Sequence, residues 1–335
     1  MWGSTRNRLL AGLFAAALCV PAWAARSELR TATPGTLNYV EGQASVADQQ
    51  LDSESIGSVE VPSGKSLTTQ QGKAEILLTP GVFLRLGDNS SAKMVSPSLT
   101  NTDLALTKGE AMVEVDEIHP ANNIHIEEDG ANVRLQKTGL YDFDADHQQL
   151  RVLDGKATVL AGDRKATVKG GHELALTTEG KLKSTSFDKK EFAQSDDLYR
   201  WSSLRSAYLA DANQNTARVY VADGWYGPGW LGSGWYWSPW YGAYTFLPAN
   251  GLLYSPFGWG YYSPLWVYRA PLGGYYYHSF AYFHPYPVVR PGPVFGPGFR
   301  GGAVRAFHPV PEGELHARVE SPHSFVGGFR GGIRR

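Results

Sequence analysis

The chain has 335 residues, is 42% hydrophobic and 19% charged, and carries a formal net charge of −1. One cysteine excludes a disulfide scaffold, and the absence of a basic excess excludes nucleic-acid binding through overall charge. The averages hide unlike segments: residues 25–212 carry 20 Lys/Arg against 28 Asp/Glu, whereas residues 213–335 carry 9 Arg, no Lys and 4 acids.

Residues 1–24 read as a signal peptide. Arg6 and Arg8 form the positive start, and Leu9 to Val20 is an apolar run of twelve, short for a hydrocarbon core of ~30 Å. Pro21-Ala22-Trp23-Ala24 places small residues where a signal peptidase reads, so cleavage is expected before Ala25. Leu18 stands where a lipobox requires a small residue, which argues against lipidation of Cys19. The mature chain is then free of cysteine, which suits an oxidising compartment. No later stretch is long and apolar enough to span a membrane, so export to the periplasm or outer envelope is expected.

From Leu37 to about Leu182 one pattern repeats: a short alternating strand, then a turn with Gly, Asp or Asn. Glu75-Ile76-Leu77-Leu78 and Val82-Phe83-Leu84-Arg85-Leu86 flank Pro80-Gly81; Ala111-Met112-Val113-Glu114-Val115 follows Lys108-Gly109. Ile124-His125-Ile126, Val133-Arg134-Leu135, Leu140-Tyr141-Asp142-Phe143, Leu150 to Leu153, Ala157 to Leu160 and Leu174 to Leu176 continue the series. Period-two alternation broken every eight to twelve residues predicts a sandwich, barrel or rolled sheet. The turn glycines need no binding role, because positive φ between short strands accounts for them.

Four ordered stretches resemble the FecR domain: Val40 to Val46, Val61-Pro62-Ser63-Gly64-Lys65-Ser66-Leu67 with Gln71 to Leu78, Leu106 to Val115, and Val152 to Val159. The resemblance runs from about Pro34 to Leu176. It implies an extracytoplasmic β-roll or solenoid that acts as an interaction domain. The best-known member of that family regulates iron-siderophore uptake through a sigma factor, using a cytoplasmic helical arm. Only eight residues precede the apolar run here, so the resemblance implies the domain without that arm.

Asp188 to Ala212 breaks the alternation. Phe192, Leu198, Trp201, Leu204 or Arg205, and Tyr208 recur at three- and four-residue steps, which predicts a linker helix over 188–212 capped by Asp188 or Ser195, with its Trp201 face packed on the sheet.

The tail, residues 213–335, holds 21 of the 38 Gly, 14 of the 20 Pro and 30 of the 42 aromatics, and Gly224 to Pro311 contains no acid. This composition predicts a low-complexity segment of short extended pieces and turns that associates with a surface or with itself. Trp225, Trp230, Trp235, Tyr236, Trp237, Trp240, Trp259 and Trp266 are the candidate surface-stacking aromatics, suited to sugar faces of wall glycan or to an outer-membrane surface. Gly298-Phe299-Arg300-Gly301-Gly302 and Gly328-Phe329-Arg330-Gly331-Gly332 resemble RGG boxes, but two copies in an exported chain do not predict nucleic-acid binding.

No catalytic, cofactor or metal site emerges. His119 and His125 lie six apart, His147 and His172 are isolated, and no Gly-x-Ser-x-Gly elbow or phosphate-binding loop occurs. Asp142-x-Asp144-x-Asp146 has the first offsets of a calcium loop, but His147 and Leu153 stand where such a loop has Gly and Glu. These carboxylates, with Asp116-Glu117 and Glu127-Glu128-Asp129, are read as outward-facing strand charges. The expectation is an exported, non-enzymatic all-β protein with one helix and an aromatic tail. Its partner would be an envelope protein, cell-wall glycan or outer-membrane surface; the alternative is a periplasmic signalling component.

Overall fold

The computed structural model describes residues 32–176, 181–222 and 232–269. The leader, Trp225, Trp230 and the tail beyond Arg269 lie outside the described residues.

Fifteen strands form one sheet: β1 Leu37–Val46, β2 Gln49–Gln50, β3 Ser66–Leu77, β4 Val82–Leu86, β5 Ser91–Ser98, β6 Asn101–Lys108, β7 Glu110–Val115, β8 Ile124–Glu128, β9 Ala131–Leu135, β10 Gly139–Asp144, β11 Gln149–Asp154, β12 Lys156–Ala161, β13 Arg164–Lys169, β14 His172–Ala175 and β15 Ser184–Ser186. The order is β13-β12-β9-β8-β6-β5-β3-β4-β7-β10-β11-β14-β15, with β1 on β3 and β2 on β1. Pairing is antiparallel except between β6 and β8. β13, at one end of the order, lies against β11, β14 and β15 near the other, so the sheet curls into a nearly closed roll.

Alternation fills the roll. Ile76, Leu84, Val113, Tyr141, Val152 and Val159 point inward from successive strands and are fully buried. The curl needs a long strand that bends, and β3 supplies it: its start pairs with β5, its end with β4, and β1 follows it throughout. At the bend Gly42 stands opposite Gly72. Gly42 has φ +67°, and a Cβ there would lie 2.1 Å from the Gln71 carbonyl oxygen, so the two backbones approach as only glycine allows.

The outer face of the roll is also covered. Every residue of β4 is buried, as are Ala111–Val115 of β7 and Gly139–Phe143 of β10. The cover comes from the C-terminal side. Helix α1, Lys189–Ser195, is capped by Asp188, whose carboxylate accepts from the Lys190 and Glu191 amides at 2.7 and 3.2 Å. Asp196 interrupts the helix, and α2 runs Asp197–Ala222. Its buried stripe is Leu198, Ser202, Arg205/Ser206, Leu209, Asn213 and Thr216, at three- and four-residue steps. Trp201 is half-buried with its ring 5.9 Å from that of Tyr39.

Two boundaries differ from the sequence reading. The helix passes Ala212 by ten residues, and the first part of the tail folds. β16 Gly234–Ser238 pairs with β17 Ala243–Leu247, and β18 Leu252–Tyr254 with β19 Gly260–Tyr262. Both hairpins pack on α2, and Trp235, Tyr244, Phe246 and Tyr261 join Leu77 and Phe83 of the sheet in one apolar cluster. Aromatics dense enough to build a core overcome the Gly and Pro between them: Trp235 meets Phe83 at 4.9 Å edge to face, and Phe246 meets Tyr261 at 5.7 Å.

Candidate interaction surface

Outward-facing polar residues of the central strands end up under this cover, and they build one network. Glu75 on β3, Arg85 on β4 and Glu114 on β7 lie side by side with fully buried side chains. Arg85 bridges them: Nε donates to Glu75 Oε2 at 2.7 Å, and Nη1 donates to Glu114. Arg205 of α2 donates to the other Glu75 oxygen at 2.9 Å, and Ser206 Oγ donates to the other Glu114 oxygen at 2.6 Å. Arg205 is also stacked over the Tyr39 ring, 4.1 Å from its centroid. Burial pushes the Glu75 carboxyl up, but Arg205 and Arg85 outweigh it and hold it below the usual range.

Asparagines clasp the hairpins. Asn38 of β1 donates to Glu75 and to the Tyr244 carbonyl and accepts from the Tyr244 amide at 2.7 Å. Asn213 of α2 does the same between hairpins, donating to the Phe246 carbonyl at 2.7 Å and accepting from the Tyr262 amide at 2.8 Å. Sheet, helix and hairpins are thus joined by hydrogen bonds that displacing the cover would break.

The acidic stretches are outward-facing strand charges only in part: Glu127, Asp129 and Asp146 are exposed, but others are not. Asp116 and Asp142 are buried, and Asp144 is mostly covered. Asp142 pairs with Arg151 at 2.8 Å, and Asp146 accepts from the Gly109 amide at 3.0 Å. Asp142 shares its face with Glu110, and burial pushes both carboxyls up; at Glu110 repulsion from Asp142 and Asp196 adds to it, whereas at Asp142 the Arg151 guanidinium opposes it and Asp196 adds to it. The sequence reading failed here because α1 and α2 cover a face that alternation assigns to solvent. Among the described residues no group of three or more His, Cys, Asp or Glu is arranged to hold a metal, and no helix is long and apolar enough to cross a membrane.

Asp116 has no donor at either oxygen, and its neighbour is another carboxylate, Glu114. Burial first, then Glu114, raises its pKa well above the ordinary value, with Arg85 only partly opposing. A raised folded pKa gives stability that is full below the unfolded value of ~3.9 and is lost as pH rises through the folded value. Asp116→Asn is therefore expected to gain stability relative to wild type between pH 4 and pH 8. Urea midpoints at both pH values check this, and a wild-type-to-variant gap independent of pH would contradict it.

The eight candidate aromatics divide. Trp235 is 4% and Tyr236 7% exposed, so both are core residues rather than a stacking surface. Trp237 is half-buried over Gly57, and Trp259 is half-buried at the rim of the sheet-facing cluster. Trp240, at the β16–β17 turn, is 82% exposed, and Trp266 is 36% exposed beside exposed Leu265 and Tyr268. Beside Trp240, Tyr241 is pinned: its hydroxyl donates to Asp211 at 2.6 Å, and its carbonyl accepts from Tyr208 at 2.6 Å. Tyr208 and the 71%-exposed Leu204 follow on α2. Sequence reasoning placed Leu204 or Arg205, and Tyr208, on the packed face of the helix; Arg205 is buried there, but Leu204 and Tyr208 are exposed, as are Tyr254 and Tyr268, which it did not single out. Only the fold separates the two sides of each hairpin.

Residues 65–179 match the family described as FecR protein, roughly a third of the chain. No curated protein matches the sequence. Two crystal structures of a candidate anti-sigma factor from Parabacteroides distasonis ATCC 8503, at 1.65 and 2.50 Å resolution, align at 14% identity and a TM-score of 0.33. The alignments cover 38% of this chain and 62–63% of those chains, so it spans less than two thirds of their length.

Proposed function

We propose that this is an exported, non-enzymatic interaction module of the bacterial cell envelope: a FecR-type domain whose aromatic C-terminal segment associates with an envelope surface. The supporting observation is the division of the aromatics. Buried rings lock the hairpins onto the domain, which holds Trp240 rigidly in solvent, 82% exposed on a turn braced by Tyr241 and Asp211. A flat ring presented in this way suits the C–H face of a sugar and costs little ordering entropy on binding.

The test is co-sedimentation of the full mature chain, Ala25–Arg335, with purified peptidoglycan and separately with outer-membrane vesicles. Pelleting with one of them, reduced severalfold by Trp240→Ser at unchanged melting temperature, is the expected result. A chain that stays in solution with both overturns the reading.

The FecR match favours a second reading, a periplasmic signalling component related to FecR-type regulators of sigma factors and iron uptake. A membrane-spanning protein that co-purifies with the chain, together with failure to pellet, would select it.

A further inference from the structure

The described part of the roll is acidic overall, yet one concavity is basic. Between the β7–β8 connection, the end of β9 and the start of β12 lies a cavity of about 440 Å³, lined by Arg134, Lys137 and Lys156 with His119 at its side. Ile118 and Leu135 contribute an apolar floor. Among the described residues, none of the three long cations lies within ion-pair distance of a carboxylate; the acid at this edge, Glu117, is 3.5 Å from His119. Arg134 spends one donor on Asn123, from Nη2 at 3.0 Å, and the rest of its fork stays free. The covered cations of the roll are by contrast neutralised locally: Arg85 by Glu75 and Glu114, Arg151 by Asp142, Lys73 by Asp88 and Asp197.

We infer that this cavity binds a phosphomonoester carried on a small body with an apolar side, such as a sugar ring. Three converging cations repel one another, and an anion of charge about −1.5 to −2, as a phosphomonoester has at pH 7, relieves that repulsion better than a single carboxylate. Arg134 supplies the planar fork that matches phosphate oxygens, while Lys137 and Lys156 act as point charges. A body of sugar size fits a cavity of this volume and lies on Ile118 and Leu135. The site is separate from the Trp240 surface and does not depend on it.

The experiment is calorimetric titration of the full mature chain with glucose 1-phosphate, inorganic phosphate and glucose, with melting temperatures recorded alongside. Glucose 1-phosphate is expected to bind and to raise the melting temperature. Inorganic phosphate should bind more weakly, and glucose not measurably. Arg134→Gln and Lys156→Gln should each weaken binding about tenfold, the loss of one charge-assisted contact. Lys108→Gln, an exposed cation elsewhere on the roll, should leave binding unchanged. Sedimentation with phosphatidic acid vesicles tells a lipid headgroup from a soluble ester, and Arg134→Gln should weaken whichever signal is seen by a similar factor. The inference falls if glucose 1-phosphate gives no heat and no thermal shift, or if the Arg134 and Lys156 variants bind as wild type while remaining folded.

Discussion

Arg85→Met is expected to destabilise the protein by about 3–5 kcal/mol at neutral pH, the usual cost of removing one partner from a buried ion pair. The reason is what stays behind. Glu75 and Glu114 are both fully buried, and each loses its only contact with the Arg85 guanidinium. Arg205 still reaches Glu75 and Ser206 still reaches Glu114, but no cation remains on Glu114.

The loss should depend on pH, and its sign follows from Glu75. Wild-type Glu75 titrates below the ordinary value because Arg205 and Arg85 outweigh burial. Its contribution is therefore complete above the unfolded value of ~4.3 and disappears as pH falls through the lower folded value. In Arg85→Met burial meets less opposition, so protonating the stranded carboxyls relieves the variant as pH drops. Its deficit should shrink between pH 7.5 and pH 4.5, followed by guanidinium denaturation at each pH. A deficit of the same size at both would mean that the side chain acts through packing alone. Arg85→Met combined with Glu75→Gln and Glu114→Gln should recover part of the lost stability, because neutral partners have less need of the missing cation. Arg85→Lys should fall between, since one ammonium cannot bridge two carboxylates as a fork does.

The inside of the roll was legible and the outside was not, for one physical reason. Inward positions such as Ile76, Leu84, Val113 and Val152 carry the alternation that specifies one face, and the strand segments read from them are present. The outer positions of the same strands carry Glu75, Arg85, Glu114 and Asp142, and period-two logic sends such residues to solvent. They are buried because an element far along the chain covers them, and that cover is specified by polar matching rather than by hydrophobic pattern. Its contact stripe includes Ser202, Arg205, Ser206 and Asn213, so an apolar periodicity fades before the helix does. Asn38 and Asn213 clasp backbone groups of hairpins that begin 20 or more residues further on, a pairing that no local spacing reveals. For the candidate surface, composition identified the aromatic segment but could not distinguish Trp235, packed on Phe83, from Trp240, which points away.

Where the chain is cut should decide whether the rest folds. A chain ending at Ala222 keeps all fifteen strands of the roll and both helices but loses the two hairpins, and it is expected to be largely insoluble or to bind hydrophobic dye strongly. Its cut uncovers Leu77 and Phe83 on the sheet and Leu209 on α2, which Trp235, Tyr244, Phe246 and Tyr261 cover in the whole protein. It also leaves Asn38 and Asn213 without the backbone partners that fix them. At roughly 1.5–3 kcal/mol for each fully buried large side chain, uncovering Leu77, Phe83 and Leu209 costs about 5–9 kcal/mol, which is comparable to the net stability of an ordinary domain. A chain ending at Arg269 keeps both hairpins and should melt cooperatively, close to the full chain. If the Ala222 chain is soluble, monomeric and equally stable, the hairpins contribute little and the roll does not need its cover. If it fails while the Arg269 chain folds, the roll, its two helices and the two hairpins form a single folding unit.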